Sequence, residues 1–178
     1  MFSNILACMM LVWIAFYHVP ACSAQPREPQ GIEGGQFDTR GERIGGLRLG
    51  LAEKEVARNI SCKPKKGKEV FEGATGEYVQ MWKHAECGIV LKMGSERKGG
   101  KKVVESITVT GPGNLVTGRG IHIGSTEEEV IKVYGRYRDD DGGTGKGRKF
   151  VAGSIYDGMI FDFEDGRVVR IFLGAAAE

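Results

Sequence analysis

The sequence predicts an α+β fold: two tandem helix-plus-antiparallel-strand repeats forming a sheet with helices on one face. Three matches within the chain predict it. GLRLGLAEKEV (46–56) and GIHIGSTEEEV (120–130) share five of eleven positions at an offset of 74. CGIVLKM (87–93) and DGMIFDF (157–163) both carry a glycine and then apolar residues at alternate positions, the period of a half-buried strand. VVESITV (103–109) resembles VVRIFL (168–173), with Ile107 on Ile171 and Val109 on Leu173. Three matches in one order define repeat units over 44–111 and 118–178, joined by a linker at 112–117 beside Gly111-Pro112-Gly113.

The chain ahead of the first unit has a different composition. Residues 5–17 are almost wholly apolar and no Lys or Arg precedes Arg27. That run is shorter than the ~20 residues needed to span a bilayer. Followed by Ala21, Ser23 and Ala24, it predicts a signal peptide over 1–24, cleaved after Ala24 or Ala21. Val19-Pro20-Ala21-Cys22 also resembles a lipobox, which makes Cys22 a candidate for lipidation and a membrane tether; the plainer reading removes Cys22 with the leader. Residues 25–43 are polar and rich in Gly and Pro, and predict a flexible N-terminal segment.

Each unit should open with a short strand leading into a helix of about ten residues. In the second, Ser125 or Thr126 caps the helix, each with a Glu three positions on. Gly135 is placed to end it in a left-handed conformation. The first helix follows Leu51-Ala52 and lacks a hydroxyl cap, so it should start less firmly. Two or three strands then follow. GEYVQMWKHAECGIVLKM and KKVVESITVTG flank a turn at GSERKGG in unit one. In unit two, Glu164-Asp165-Gly166 supplies the positive φ angles of a tight hairpin.

Glycine, apolar residues at alternate positions, a second glycine and a helix, followed by an antiparallel hairpin, resembles the fold of the beta-lactamase inhibitor protein family, which has two tandem helix-plus-sheet repeats. The pattern is also similar to the SmpA/OmlA outer-membrane lipoproteins, which have one such unit. RGIHIGSTEEEVIKVYG and AGSIYDGMIFDFEDGRVVRIFLGAAAE look like exported bacterial proteins of unknown function. The resemblance runs from Ile44 to the C-terminus and implies an envelope protein that works by binding. The residues by which the inhibitor grips its enzyme have no counterpart here.

Charge and site chemistry narrow the function classes. The net charge of +2 gives no field that points to nucleic acid. Basic residues concentrate in KPKKGK and SERKGGKK, read as solvated loops, with anionic lipid headgroups or a polyanion as the minor reading. In an exported chain Cys62 and Cys87 predict one disulfide, worth ~3 kcal/mol in the chain-entropy model. Beyond the leader the histidines are His84 and His122, and CxxC spacing is absent, so no metal site and no cofactor is assigned. His84 and Cys87 stand three apart and would face opposite sides of a strand, so no catalytic residue is assigned. DDDGGTGKG (139–147) fails the Walker A pattern, with Asp140 and Gly147 in the wrong places. As a calcium loop it offers only Asp139 and Asp141, and it reads as a mobile turn. The start of the second helix invites an anion, but its cap takes the free N–H groups and Glu127, Glu128 and Glu129 repel negative charge.

Among the aromatic residues, Phe161 and Phe163 share a face with Met159 and belong to the core. Tyr78 and Trp82 share a face of their own strand, and Tyr156 lies opposite the core face of its strand. These three are the candidate partner-binding residues. The resulting expectation is a non-catalytic exported protein, periplasmic or envelope-associated, that binds a protein or envelope component through its β-sheet face. The alternative is a small-ligand carrier or enzyme using a cleft between the repeats.

Overall fold

The computed structural model describes residues 36–139 and 148–177, all within one compact unit, Ile32–Glu178. The expected leader, Cys22, residues 25–35 and nearly all of the Asp/Gly-rich turn lie outside the described residues. In chain order the elements are α1 (Glu53–Asn59), β1 (Lys65–Lys66), β2 (Val70–Glu72), β3 (Glu77–His84), β4 (Ile89–Ser95), β5 (Val103–Thr110), α2 (Glu127–Tyr134), β6 (Lys149–Gly153), β7 (Gly158–Glu164) and β8 (Arg167–Gly174). The eight strands form one sheet in the order β1-β3-β4-β5-β8-β7-β6, with β2 also on the free side of β3. Every pairing is antiparallel. No described helix is long and apolar enough to cross a membrane.

Side-chain alternation decides which face is covered. Ile89, Leu91 and Met93 of β4, Ile107 and Val109 of β5, Met159, Phe161 and Phe163 of β7, and Ile171 and Leu173 of β8 all enter one core. Val56 of α1 and Val130 and Tyr134 of α2 enter the same core, so both helices pack on that face. Tyr134 meets Phe161 at a centroid distance of 5.0 Å. The β5–β8 register, with Ile107 opposite Leu173 and Val109 opposite Ile171, makes the core continuous across the middle of the sheet. On the opposite, outer face, Val151, Ile160 and Phe172 form a small second cluster.

The helix starts are anchored alike. Gly50 N–H donates to Val104 O, Val104 N–H to Leu51 O and Glu53 N–H to Lys102 O. Around α2, Gly124 N–H donates to Val168 O, Val168 N–H to Ser125 O and Glu127 N–H to Gly166 O. Each set ties a helix N-terminus to the first residues of the last strand in its half. A register shift follows in both halves, at Lys92/Met93 and at Asp162/Phe163. The β7–β8 turn has the expected form, with φ of 48° at Asp165 and 71° at Gly166. Thr126 rather than Ser125 is the cap: Glu129 N–H donates to its hydroxyl at 3.2 Å and its own N–H donates to Glu129 Oε2 at 2.7 Å. Ser125 Oγ instead accepts from His122 N–H.

Four expectations need correction. GLRLG and GIHIG form no strand, only turns and coil with one isolated bridge at Leu47, because Gly50 and Gly124 take φ of 74° and 92° and bend the chain into the helix. Gly135 is right-handed, with φ −53° and ψ −37°, and the chain continues as a 3-10 turn that brings Tyr137 against Phe37. The described end of the segment expected to be flexible is packed: Phe37, Thr39 and Glu42 are buried. Their anchors are a Thr39 hydroxyl donating to Asp157 and a Glu42–Arg119 ion pair at 2.7 Å. The fourth concerns the aromatic residues and is described with the site.

Candidate functional site: the β1–β3 edge of the sheet

Two very short strands share the free side of β3. Lys65 and Lys66 of β1 stand opposite Lys83 and Trp82. Val70, Phe71 and Glu72 of β2 stand opposite Val79, Tyr78 and Glu77. Between them the chain stays close: Gly67 N–H donates to Met81 O and Gln80 Nε2 donates to Gly67 O, both at 2.8 Å. Strands this short bury little of their own surface. Val70 is 49% exposed, Phe71 59% and Met81 41%. Val103, in the same cross-strand row as Val70, Val79 and Gly94, is 41% exposed. Phe71 leans on Tyr78 at 5.2 Å and otherwise faces solvent.

The expected binding aromatics separate on this scaffold. Tyr78 is half-buried beside Phe71 and stays at the edge. Trp82 is 4% exposed and sits in the core, because its partner across β4 is the core residue Leu91. Its indole N–H donates to Gln80 and Lys66 Nζ lies 3.6 Å above the ring, so Trp82 is closed to a partner. Tyr156 is exposed but lies in the loop before β7, not on the strand. It borders a groove of about 610 Å³ that also involves Arg40, Arg48, Glu105 and Asp157.

Charge is unevenly settled around the edge. Glu69, which follows KPKKGK, pairs with Lys102 and accepts from Gly99 N–H at 2.9 Å. The hydrogen bond from Lys102, reinforced by Gly99, holds the Glu69 carboxyl below its usual value. This contact draws the two basic runs of the sequence together. On the outer face Lys92 reaches Glu72 at 2.7 Å and Glu105 at 3.7 Å. Glu105 occupies the irregular stretch of β5 and lies over Gly94, where any side chain would collide with it. Burial, then the hydrogen bond and charge of Glu77, push the Glu105 carboxyl up to about 7, against the pull of Lys92.

The disulfide joins Cys62 and Cys87 across a Cα–Cα distance of 6.2 Å, within the ordinary range. Both sulfurs are therefore committed. His84 is buried beside it, with Nδ1 2.7 Å from Cys62 O, an arrangement in which Nδ1–H donates to the carbonyl. His122 is exposed and its Nδ1 lies 2.8 Å from Ile123 O. Among the described residues no group of three or more His, Cys, Asp and Glu is placed to hold a metal ion.

Sequence reasoning missed Val70, Phe71, Met81 and the Glu72/Glu77/Lys92/Glu105 cluster. β2 is too short for alternation to appear, and the cluster is assembled from four strands. Comparison with family models, with curated proteins and with solved structures gives no match for this chain.

Proposed function

We propose that the chain is a non-catalytic binding protein that docks a protein or envelope component through the β1–β3 edge and adjoining outer face of its sheet. The observation that carries this reading is the set of exposed apolar residues at one edge of the sheet: Val70, Met81 and Val103 on the outer face, and Phe71 at the same edge on the helix-bearing side. Exposed apolar side chains concentrated in this way mark interaction surfaces. The two halves are read as tandem repeats of one unit. The matched hydrogen bonds at the two helix starts, and the register shifts at equivalent places, support that reading. It is also the architecture implied by the resemblance to the beta-lactamase inhibitor protein family. The Cys62–Cys87 disulfide is consistent with an oxidising compartment and so with export.

A photo-crosslinking residue at position 71 or 81, compared with one at exposed Ile131 on α2, tests the docking face. Specific adducts in intact cells are expected at 71 and 81. Equal yields at all three positions would remove this edge as the docking surface. The groove beside Tyr156 favours a second reading, a small-ligand site. Arg40, Arg48 and Asp157 supply opposite charges there, and its lining comes from both halves and the N-terminal segment. A ligand that protects Tyr156 from nitration while leaving crosslinking at 71 unchanged would support the groove over the edge.

A further inference from the structure

From the lysines that ring this edge, and resting on the docking reading above, we infer that the β1–β3 edge docks on an anionic phospholipid surface. Lys63, Lys65, Lys66, Lys68 and Lys83 are all exposed. Of the nearby acids, Glu69 pairs with Lys102, and Glu72 and Glu105 share Lys92 on the outer face, where Glu77 hydrogen-bonds the Glu105 carboxyl; the lysines counted here stand apart from that cluster, along the strand edge. Lys66 sits over Trp82, an attraction that leaves its charge uncancelled. Lys65 and Lys83 are direct cross-strand partners. Like charges placed opposite each other in a sheet are destabilising, and an anionic surface would relieve them. The Glu69–Lys102 contact brings the hairpin with Arg97, Lys98 and Lys101 to the same edge, and all three of these residues are exposed. Residues far apart in sequence thus form one cationic rim.

The apolar side chains choose among anionic partners. Lysines on an edge strand can serve simply to block strand pairing, but that role does not account for exposed Val70, Phe71 and Met81 among them. A nucleic acid or other soluble polyanion would use the cations and leave these side chains in water. A protein interface would be poor in lysine. A lipid surface uses both groups: apolar tips enter the headgroup layer while lysine stems lie along it and their ammonium groups meet phosphates. The charge on this rim is lysine-rich, and lysine meets a mobile field of phosphates as a point charge without needing a fixed bidentate geometry.

The test is sedimentation with large vesicles of phosphatidylcholine alone and of phosphatidylcholine with 30% phosphatidylglycerol. The full chain carries Cys22→Ser throughout, so that no acyl group on that residue contributes. The ratio of the two partition coefficients is read. It should exceed one, fall with added salt, and drop about fivefold per lysine removed, hence roughly 25-fold in Lys65→Ala/Lys83→Ala. Phe71→Ser should also weaken binding to the anionic vesicles. Circular dichroism verifies that these exposed substitutions leave the fold intact. A ratio of one, or a ratio unchanged in the double lysine variant, overturns the inference. So does lysine-dependent binding to the anionic vesicles that Phe71→Ser leaves untouched, which would assign the rim to a soluble polyanion. Should vesicles fail while crosslinks at 71 and 81 persist, the partner is a protein and the docking reading stands. Should both fail, that reading falls too.

Discussion

Arg119→Ala removes the guanidinium that closes the N-terminal segment onto the second half of the protein. Arg119 Nε donates to Glu42 Oε1 at 2.7 Å, and the Glu42 side chain is only 7% exposed. Among the described residues the carboxylate then keeps the Tyr134 hydroxyl, at 3.4 Å. Breaking a fully buried pair from one side costs about 3–5 kcal/mol. The Arg119 side chain is 34% exposed, so water reaches the vacated site and about 2 kcal/mol is the appropriate share. The same guanidinium lies 5.3 Å from the Tyr134 ring and 4.8 Å from the Tyr137 ring, adding ~0.5–1 kcal/mol of cation–π attraction. The expected loss is therefore about 3 kcal/mol, or roughly 10 °C in Tm for a domain of this size. Urea denaturation followed by far-ultraviolet circular dichroism measures it. Arg119→Met/Glu42→Met removes both charges and should cost less than Arg119→Ala alone, because no buried carboxylate is stranded. A change below ~0.5 kcal/mol for Arg119→Ala, or a double variant as damaged as the sum of the single ones, would refute the assignment of this pair as a buried latch.

Two further outcomes follow from local geometry. Glu105 has its folded pKa raised from 4.5 to about 7, so its contribution is fully present below the unfolded value and is lost as pH rises through about 7. Glu105→Gln should flatten that part of the pH–stability curve and exceed the parent protein by about 1–2 kcal/mol at pH 8, after allowance for solvent screening; a parent curve flat between pH 5 and 8 would contradict this. At the helix starts, Thr126→Ala should cost ~1 kcal/mol, while Ala52→Ser should gain ~0.5–1 kcal/mol. Ala52 already has cap geometry, φ −70° and ψ 149°, without a side-chain acceptor. Equal denaturation midpoints for Ala52→Ser and the parent would show that α1 is not limited by its cap.

Alternation and turn chemistry made the long strands legible. β4, β5, β7 and β8 each run seven or eight residues with alternate side chains entering the main core, so their period of two is visible in the sequence. Asp165-Gly166 marked its hairpin because few residues accept two positive φ angles in succession. The same reasoning misread GLRLG and GIHIG, since an apolar–polar–apolar triplet between glycines suits a turn as well as a strand. It misplaced Trp82 because the sharing of a strand face with Tyr78 says nothing about how far the core extends along that face. Trp82 meets Leu91 under the helix layer, whereas Tyr78 meets Ser95 near the end of the sheet.

The sequence by itself determined the α+β class, a hydroxyl cap at Ser125 or Thr126 and, with Cys8 and Cys22 set aside, the Cys62–Cys87 pairing, because each depends on residues close in the chain or on a small count; the choice of Thr126 came with the structure. Tertiary structure alone decided where water reaches. Exposure at the β1–β3 edge arises because two strands of two and three residues end the sheet there. The convergence of KPKKGK and SERKGGKK depends on Glu69 meeting Lys102, a contact 33 residues apart in the chain. Burial and long-range charge pairing are properties of packed surfaces, and no window of local sequence contains them.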